Sequence, residues 1–329
     1  MAGDGEHRGR ISIHSSDRYQ QGLTNIISRS FMGQFPVALL AILVVSFTLH
    51  LPHPHDPKEA SFKTQLRRVD FLGAATLISA VFTLLFGLDR GGNLSLRDPL
   101  VIISLCASLL FFLVFAFVEA RIAAEPFAPP HIVRERSILS SCLTNFFSFA
   151  GYMAILFYIP LYYQTVSSLS AAGAGLRLVP AIAGGVSGSL FGGLAMQKTG
   201  KYYYLTVCAY ILFFAAAIPV FLATGILGHS TATISLGIAA MGFGNGIGVT
   251  STLIAVIAAA GNEEQAVATA VSYLFRALGQ VIGVSVSSML VQGGLRRELR
   301  RVLNGDDADE VTFFLKYRRT ETLTLDGRL

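Results

Sequence analysis

Apolar residues along this chain come in runs of about 20, separated by short polar stretches. A run of that length matches a hydrocarbon core about 30 Å thick. Backbone groups in lipid must pair internally, and the alternation of a β-barrel is absent, so the runs predict helices. About eight spans are expected, at roughly 32–51, 70–88, 99–118, 139–163, 172–196, 203–224, 231–259 and 266–292. Residues 1–30 are polar, and a charged tail, 293–329, follows the last run. The predicted fold class is an all-α integral membrane bundle.

Composition agrees with this pattern. The 329 residues are 53% hydrophobic and only 14% charged, with a mean hydropathy of +0.58. Soluble domains carry about a quarter charged residues, so the bilayer is the expected partner. The net charge of +5 comes from short loops and not from a basic stripe, which excludes nucleic acid. The polar N-terminus shows no short apolar core of a secretory signal. Cys106, Cys142 and Cys208 each sit inside an apolar run without a CxxC partner, and read as small buried apolar side chains. His7, His14, His50, His53, His55, His131 and His229 lie at loops or span ends. No Ser-His-Asp grouping, metal cluster or phosphate-binding loop is apparent, so neither an enzyme nor a cofactor is expected. GFGNGIG (Gly242–Gly248) neither follows a strand nor opens a helix in a βαβ unit.

Lys and Arg concentrate in alternate loops, which sets the orientation. Lys58, Lys63, Arg67 and Arg68 fall in 52–69, Arg121, Arg134 and Arg136 in 119–138, and Lys198 and Lys201 in 197–202. Loop 89–98 balances two Arg with two Asp, and 164–171 and 225–230 hold neither Lys nor Arg. The first set is expected on the cytoplasmic side. The basic N-terminus and Arg296, Arg297, Arg300 and Arg301 then fall on the opposite side, against the rule.

Inside lipid, small residues mark the faces where helices approach closely. Gly184, Gly188 and Gly192 recur at four-residue spacing, as do Gly242 with Gly246, Gly244 with Gly248, and Gly279 with Gly283. Pro160, Pro180 and Pro219 predict kinks or broken segments. Ionisable groups within spans cost about 2.5–3.5 kcal/mol on insertion scales and are functional candidates. Arg276, with Gln280 one turn on, could bind an anionic group, pair with a carboxylate or snorkel to the cytoplasmic end. Asn145, Tyr152 and Asn245 are the remaining substrate-cavity candidates. Arg177 lies near an outer span end where snorkelling is cheap, and Tyr158, Tyr162 and Tyr163 read as an interfacial belt. Glu263 and Glu264 suit the start of a helix, with proton coupling as the alternative.

The stretch Tyr158–Leu205 (YIPLYYQTVSSLSAAGAGLRLVPAIAGGVSGSLFGGLAMQKTGKYYYL) resembles the second half of a major facilitator superfamily transporter. The likeness is to the fourteen-span fungal drug:proton antiporter group, particularly its vacuolar basic amino acid transporters. RRVDFLGAATL (Arg67–Leu77) resembles the start of the seventh span and QAVATAVSYLFRALGQVIGVSV (Gln265–Val286) the thirteenth. Gly193, Gln197, Lys198, Gly200 and Lys201 resemble the superfamily's cytoplasmic gating loop, with Gln197 where the motif has aspartate.

The resemblance divides the chain into a polar segment 1–30, a last span of the N-terminal half at 31–51, and a cytoplasmic loop with two linker spans at 52–138. A five-span C-terminal half follows at 139–292, and a polar tail at 293–329. The bundle would be incomplete relative to the family, lacking its first five spans and its last. RYQQGLTNII (Arg18–Ile27) resembles the loop before the fifth span but runs into the sixth, so a truncated gene model or isoform is expected, and full-length transcript sequencing would test it. The implied function is proton-coupled transport of basic amino acids into the vacuole, with small-molecule substrate and proton as partners. The alternatives are drug or toxin efflux at the plasma membrane, and a non-transporting fragment that associates with a complete transporter.

Overall fold

The computed structural model describes residues 32, 34–36, 38–48, 70–93, 98–122, 129–226 and 230–302. The chain divides into two compact units, 1–63 and 64–329. The first contributes one apolar helix, α1 (Gln34–Thr48), which answers the expected span 32–51; the remainder of that span lies outside the described residues. The polar segment 1–30, the tail beyond Val302 and every histidine except His131 lie outside them too.

The second unit holds seven helices long and apolar enough to cross a membrane. These are α2 (Phe71–Asn93), α3 (Pro99–Arg121), α5 (Arg136–Thr165), α7 (Val179–Thr199), α8 (Tyr203–Phe221), α9 (Thr231–Asn262) and α10 (Glu264–Glu298). Two short helices, α4 (Pro130–Arg134) and α6 (Ala171–Leu176), lead into α5 and α7.

Local chemistry sets the ends. The Asp98 carboxylate accepts from the Leu100 amide at 2.9 Å, with Pro99 opening α3. Glu135 accepts from Ile138 N at 2.8 Å, so α5 begins at Arg136, earlier than the apolar run alone indicated. The expected span 172–196 is broken. Ser170 caps α6, Arg177 and Leu178 form a turn, and α7 resumes with Pro180 in its first turn, where a missing N–H does no harm. Pro219 has no N–H to donate, and shortly after it α8 loosens into the π-helical turn Leu222–Ile226. The expected loop 260–265 between the last two spans is helical but for a break at Gly261, near the end of α9, at φ 70° and ψ −178°.

Glycines decide how the spans pack. A Cβ on Gly184 or Gly188 would overlap the carbonyls of Ala239 or Phe243, and one on Gly242 or Gly246 those of Ala181 or Gly185, so α7 and α9 touch backbone to backbone. Gly192 extends this seam to Ile247. Gly279 and Gly283 set α10 against the carbonyls of Phe146 and Ala150 on α5, and Gly244 sets α9 against Ala209 on α8. The crossing pairs α5–α10 and α9–α7 form one motif used twice. α2 and α3 are joined by hydroxyls, with Ser104 donating to the Thr83 carbonyl at 2.7 Å and Ser108 to that of Ala80 at 2.9 Å.

Two apolar cores follow. One, around Tyr152, Ile159, Tyr163, Phe213, Ile238 and Met241, joins α5, α7, α8 and α9; the other, around Ile132, Ile138, Cys142, Val256 and Val271, sits at the opposite end of the bundle. Large apolar side chains such as Leu109, Leu113, Phe214 and Leu236 point outward, as a lipid-facing surface requires. Of the three cysteines expected to be buried, only Cys142 is; Cys106 and Cys208 are exposed on outward faces, and all are free thiols. An apolar thiol sits as comfortably in lipid as in a core, so hydropathy alone did not separate the two.

Candidate functional site

A buried polar layer crosses the apolar bundle. Asn145 on α5 is fully buried, and its Nδ2 donates to Ser272 Oγ on α10 at 3.0 Å. The Thr252 hydroxyl on α9 lies 3.0 Å from Asn145 Oδ1 and 2.8 Å from the Gly248 carbonyl, and donates to one or the other. Asn145 therefore ties three helices together and does not face an open cavity. Ser148, one turn on from Asn145, and Tyr210 on α8 belong to the same layer. The Tyr210 hydroxyl is buried beside Ser148, Thr252 and the Arg276 guanidinium.

Arg276 projects from the middle of α10. Its guanidinium carbon lies 4.7 Å from the ring centre of Phe149 on α5 and 4.7 Å from that of Tyr273 on its own helix. Its Nε is buried and unpartnered, while the residue as a whole is half-buried, as is Gln280 one turn on. A guanidinium delocalises its charge over a plane, so aromatic faces shield it where a compact ammonium would demand water.

Seven residues along α5 from Asn145 is Tyr152, and seven before Thr252 on α9 is Asn245. The two helices run in opposite directions, so both residues stand about 10 Å from the polar layer on the same side of it. The Tyr152 hydroxyl donates to the Ala181 carbonyl on α7 at 3.4 Å, and its ring meets Phe213 edge-on at 6.2 Å. Asn245 is 5% exposed, and its Oδ1 has no partner.

A cavity of about 1460 Å³ lies elsewhere, as a groove between α5 and α8 floored by Thr252 and Ala255 of α9. Hydroxyls from Ser137, Ser140, Ser141, Thr144 and Ser148 line one wall, and Tyr210, Phe213 and Phe214 line the other. None of the five substrate-cavity candidates lines it. Arg136 and the gating-loop candidates Gly200 and Lys201 stand at its mouth. In that loop Gly200 takes the left-handed conformation, φ 65°, that ends α7. Gln197 and Lys198 are exposed and Gly193 has open space beside it. Glu264, at the start of α10, pairs with His131 of α4 at 2.8 Å, an exposed contact. Arg177 lies 5.7 Å from the Tyr163 ring at the opposite end. Among the described residues no group of His, Cys, Asp and Glu could hold a metal ion.

Ser148, Tyr210, Thr252 and Ser272 carried no signal of their own in the sequence. Single hydroxyls on apolar helices are common, and only the crossing geometry shows which of them meet. The four-residue step from Ser272 to Arg276 was the one legible clue.

Residues 25–284 match the model of the Major Facilitator Superfamily. The chain belongs to this superfamily. The chain is similar to the vacuolar membrane amino acid uptake transporter fnx2 of Schizosaccharomyces pombe, 40% identical over 87% of this chain and 49% of that protein. The multidrug resistance protein fnx1 of the same yeast is 35% identical over 86% of this chain and 53% of that protein. Vacuolar basic amino acid transporter 2 of Saccharomyces cerevisiae is 28% identical over 84% and 59%. The chain thus spans about half the length of the curated relatives it matches. Family membership and seven apolar helices make it a multi-pass integral membrane protein.

Proposed function

We propose that this chain forms the C-terminal bundle and linker spans of a secondary transporter that moves basic amino acids into the vacuole in exchange for protons. One observation carries the reading: 40% identity across 87% of the chain to a vacuolar membrane amino acid uptake transporter. The match to a vacuolar basic amino acid transporter points the same way. Helices that meet backbone to backbone at glycines around a buried polar layer suit a bundle that moves as a body around a midplane site. Gly200 and Lys201 at the groove mouth are the proposed gating elements, and Arg276, Gln280, Tyr152 and Asn245 the proposed substrate contacts. Asn145 holds those contacts in place.

The test is uptake of labelled lysine, arginine and histidine by vacuolar membrane vesicles from cells that express the protein and cells that lack it. Expression-dependent accumulation is expected. Equal accumulation in both preparations would refute the substrate assignment. The 35% identity to a multidrug resistance protein supports a second reading, drug efflux at the plasma membrane. Localisation and a drug-sensitivity screen separate the two.

A further inference from the structure

A buried cation in a membrane span needs an anion, and this bundle does not supply one. Between Arg136 and Val302 the acidic residues are Glu263, Glu264 and Glu298. Along α10, Glu264 lies about 18 Å from Arg276 and Glu298 about 33 Å, at 1.5 Å per residue. Among the described residues no ion pair includes Arg276. No internal bridge accounts for it, and its guanidinium lies against the rings of Phe149 and Tyr273.

The arrangement around it is that of a receptor for a planar anion. The N–H donors of a guanidinium lie in its plane and match the two oxygens of a carboxylate. The rings of Phe149 and Tyr273 stand beside it, and its buried Nε is left without a partner. Tyr273 is 49% exposed, so this edge of the site is reachable from outside the bundle. Half-buried Gln280, one turn along, adds an amide on the same face. The unpartnered, buried Asn245 Oδ1 shows further polar capacity left unused in the bundle.

We infer that Arg276 receives the α-carboxylate of the transported amino acid, between Phe149 and Tyr273. This rests on the amino acid reading above and sharpens it. A basic amino acid carries one carboxylate and two ammonium groups, and this bundle offers a cation and no mid-span acid. It therefore binds the end of the substrate that all amino acids share, and does not itself read the basic side chain.

Competition of labelled lysine uptake by unlabelled lysine and by lysinamide, which keeps both amines but has no carboxylate, is the measurement. The wild-type protein should prefer lysine by about tenfold or more, the range of a charge-assisted hydrogen bond in a desolvated site. Arg276→Gln should bring that ratio near one, and Arg276→Lys should leave a smaller preference, because the charge stays while the planar fork goes. The wild-type ratio is informative even if Arg276→Gln fails to reach the membrane. Uptake that lysinamide competes as well as lysine does overturns the Arg276 assignment alone. An unchanged ratio in a folded Arg276→Gln protein does the same. Absence of any expression-dependent lysine uptake overturns the parent reading and this one with it.

Discussion

Gly188→Ala is the sharpest test of how the bundle is held together. The added Cβ would overlap the Phe243 carbonyl oxygen and stand 2.8 Å from that residue's C and Cα. Ordinary van der Waals contact begins near 3.4 Å, so α7 and α9 must part by at least about 0.6 Å. A gap of about 0.5–1 Å forfeits a quarter to a half of each atomic contact it opens. Here it opens the whole seam, from Gly184 on Ala239 to Gly192 on Ile247. Overpacking of this kind costs about 1–3 kcal/mol. Gly193→Ala, one position beyond that seam with nothing within 4 Å, is the control. It should be neutral, or gain up to about 1 kcal/mol from helix propensity. The chain has no tryptophan, so unfolding is best read through Cys142, which is buried while the other two thiols are exposed. In a Cys106→Ser, Cys208→Ser background, a thiol-reactive dye should report a lower melting temperature for Gly188→Ala and no loss for Gly193→Ala. Identical melting of Gly188→Ala and its parent would refute the glycine-seam account.

Two further perturbations probe other parts of the bundle. Gly200→Ala should destabilise by about 1 kcal/mol, because the left-handed conformation strains any Cβ even in open space, and Gly200→Asn should cost less; the same melting assay checks both. Asn145→Leu and Thr252→Val should each lower stability, and the double variant should fall short of their sum by about 0.6 kcal/mol, the mean for an interhelical hydrogen bond in a membrane protein. Strict additivity would show that the Asn145–Thr252 contact contributes nothing.

The membrane fold could be read from the sequence because lipid imposes a single rule, about 20 apolar residues per span, and the chain carries no charged residue from Phe71 to Leu88 or from Pro99 to Val118. Boundaries were less legible where caps overrule hydropathy. Glu135 starts α5 at a charged residue that an apolar scan passes over, and Gly261 turns the chain within a stretch that scans as a longer loop. The site was legible only in its expensive members. Arg276 announced itself by cost, and Asn145 by being an amide in an apolar run. The roles of the two differ because of partners that sequence spacing cannot supply. Asn145 finds the hydroxyls of Ser272 and Thr252, whereas Arg276 finds two rings and, among the described residues, no acid. The groove between α5 and α8 had no linear signature, since its serine wall and its tyrosine wall are brought together by the crossing of α5 and α8 over α9.

Exchange of a basic amino acid for protons is the proposed activity. The most direct measurement is the fluorescence of quinacrine trapped in acidified vacuolar vesicles, followed as lysine is added. The account predicts a lysine-dependent recovery of fluorescence, as protons leave in exchange, in vesicles that contain the protein and not in those that lack it. Lysine that enters without moving protons, or no difference between the two preparations, would contradict it.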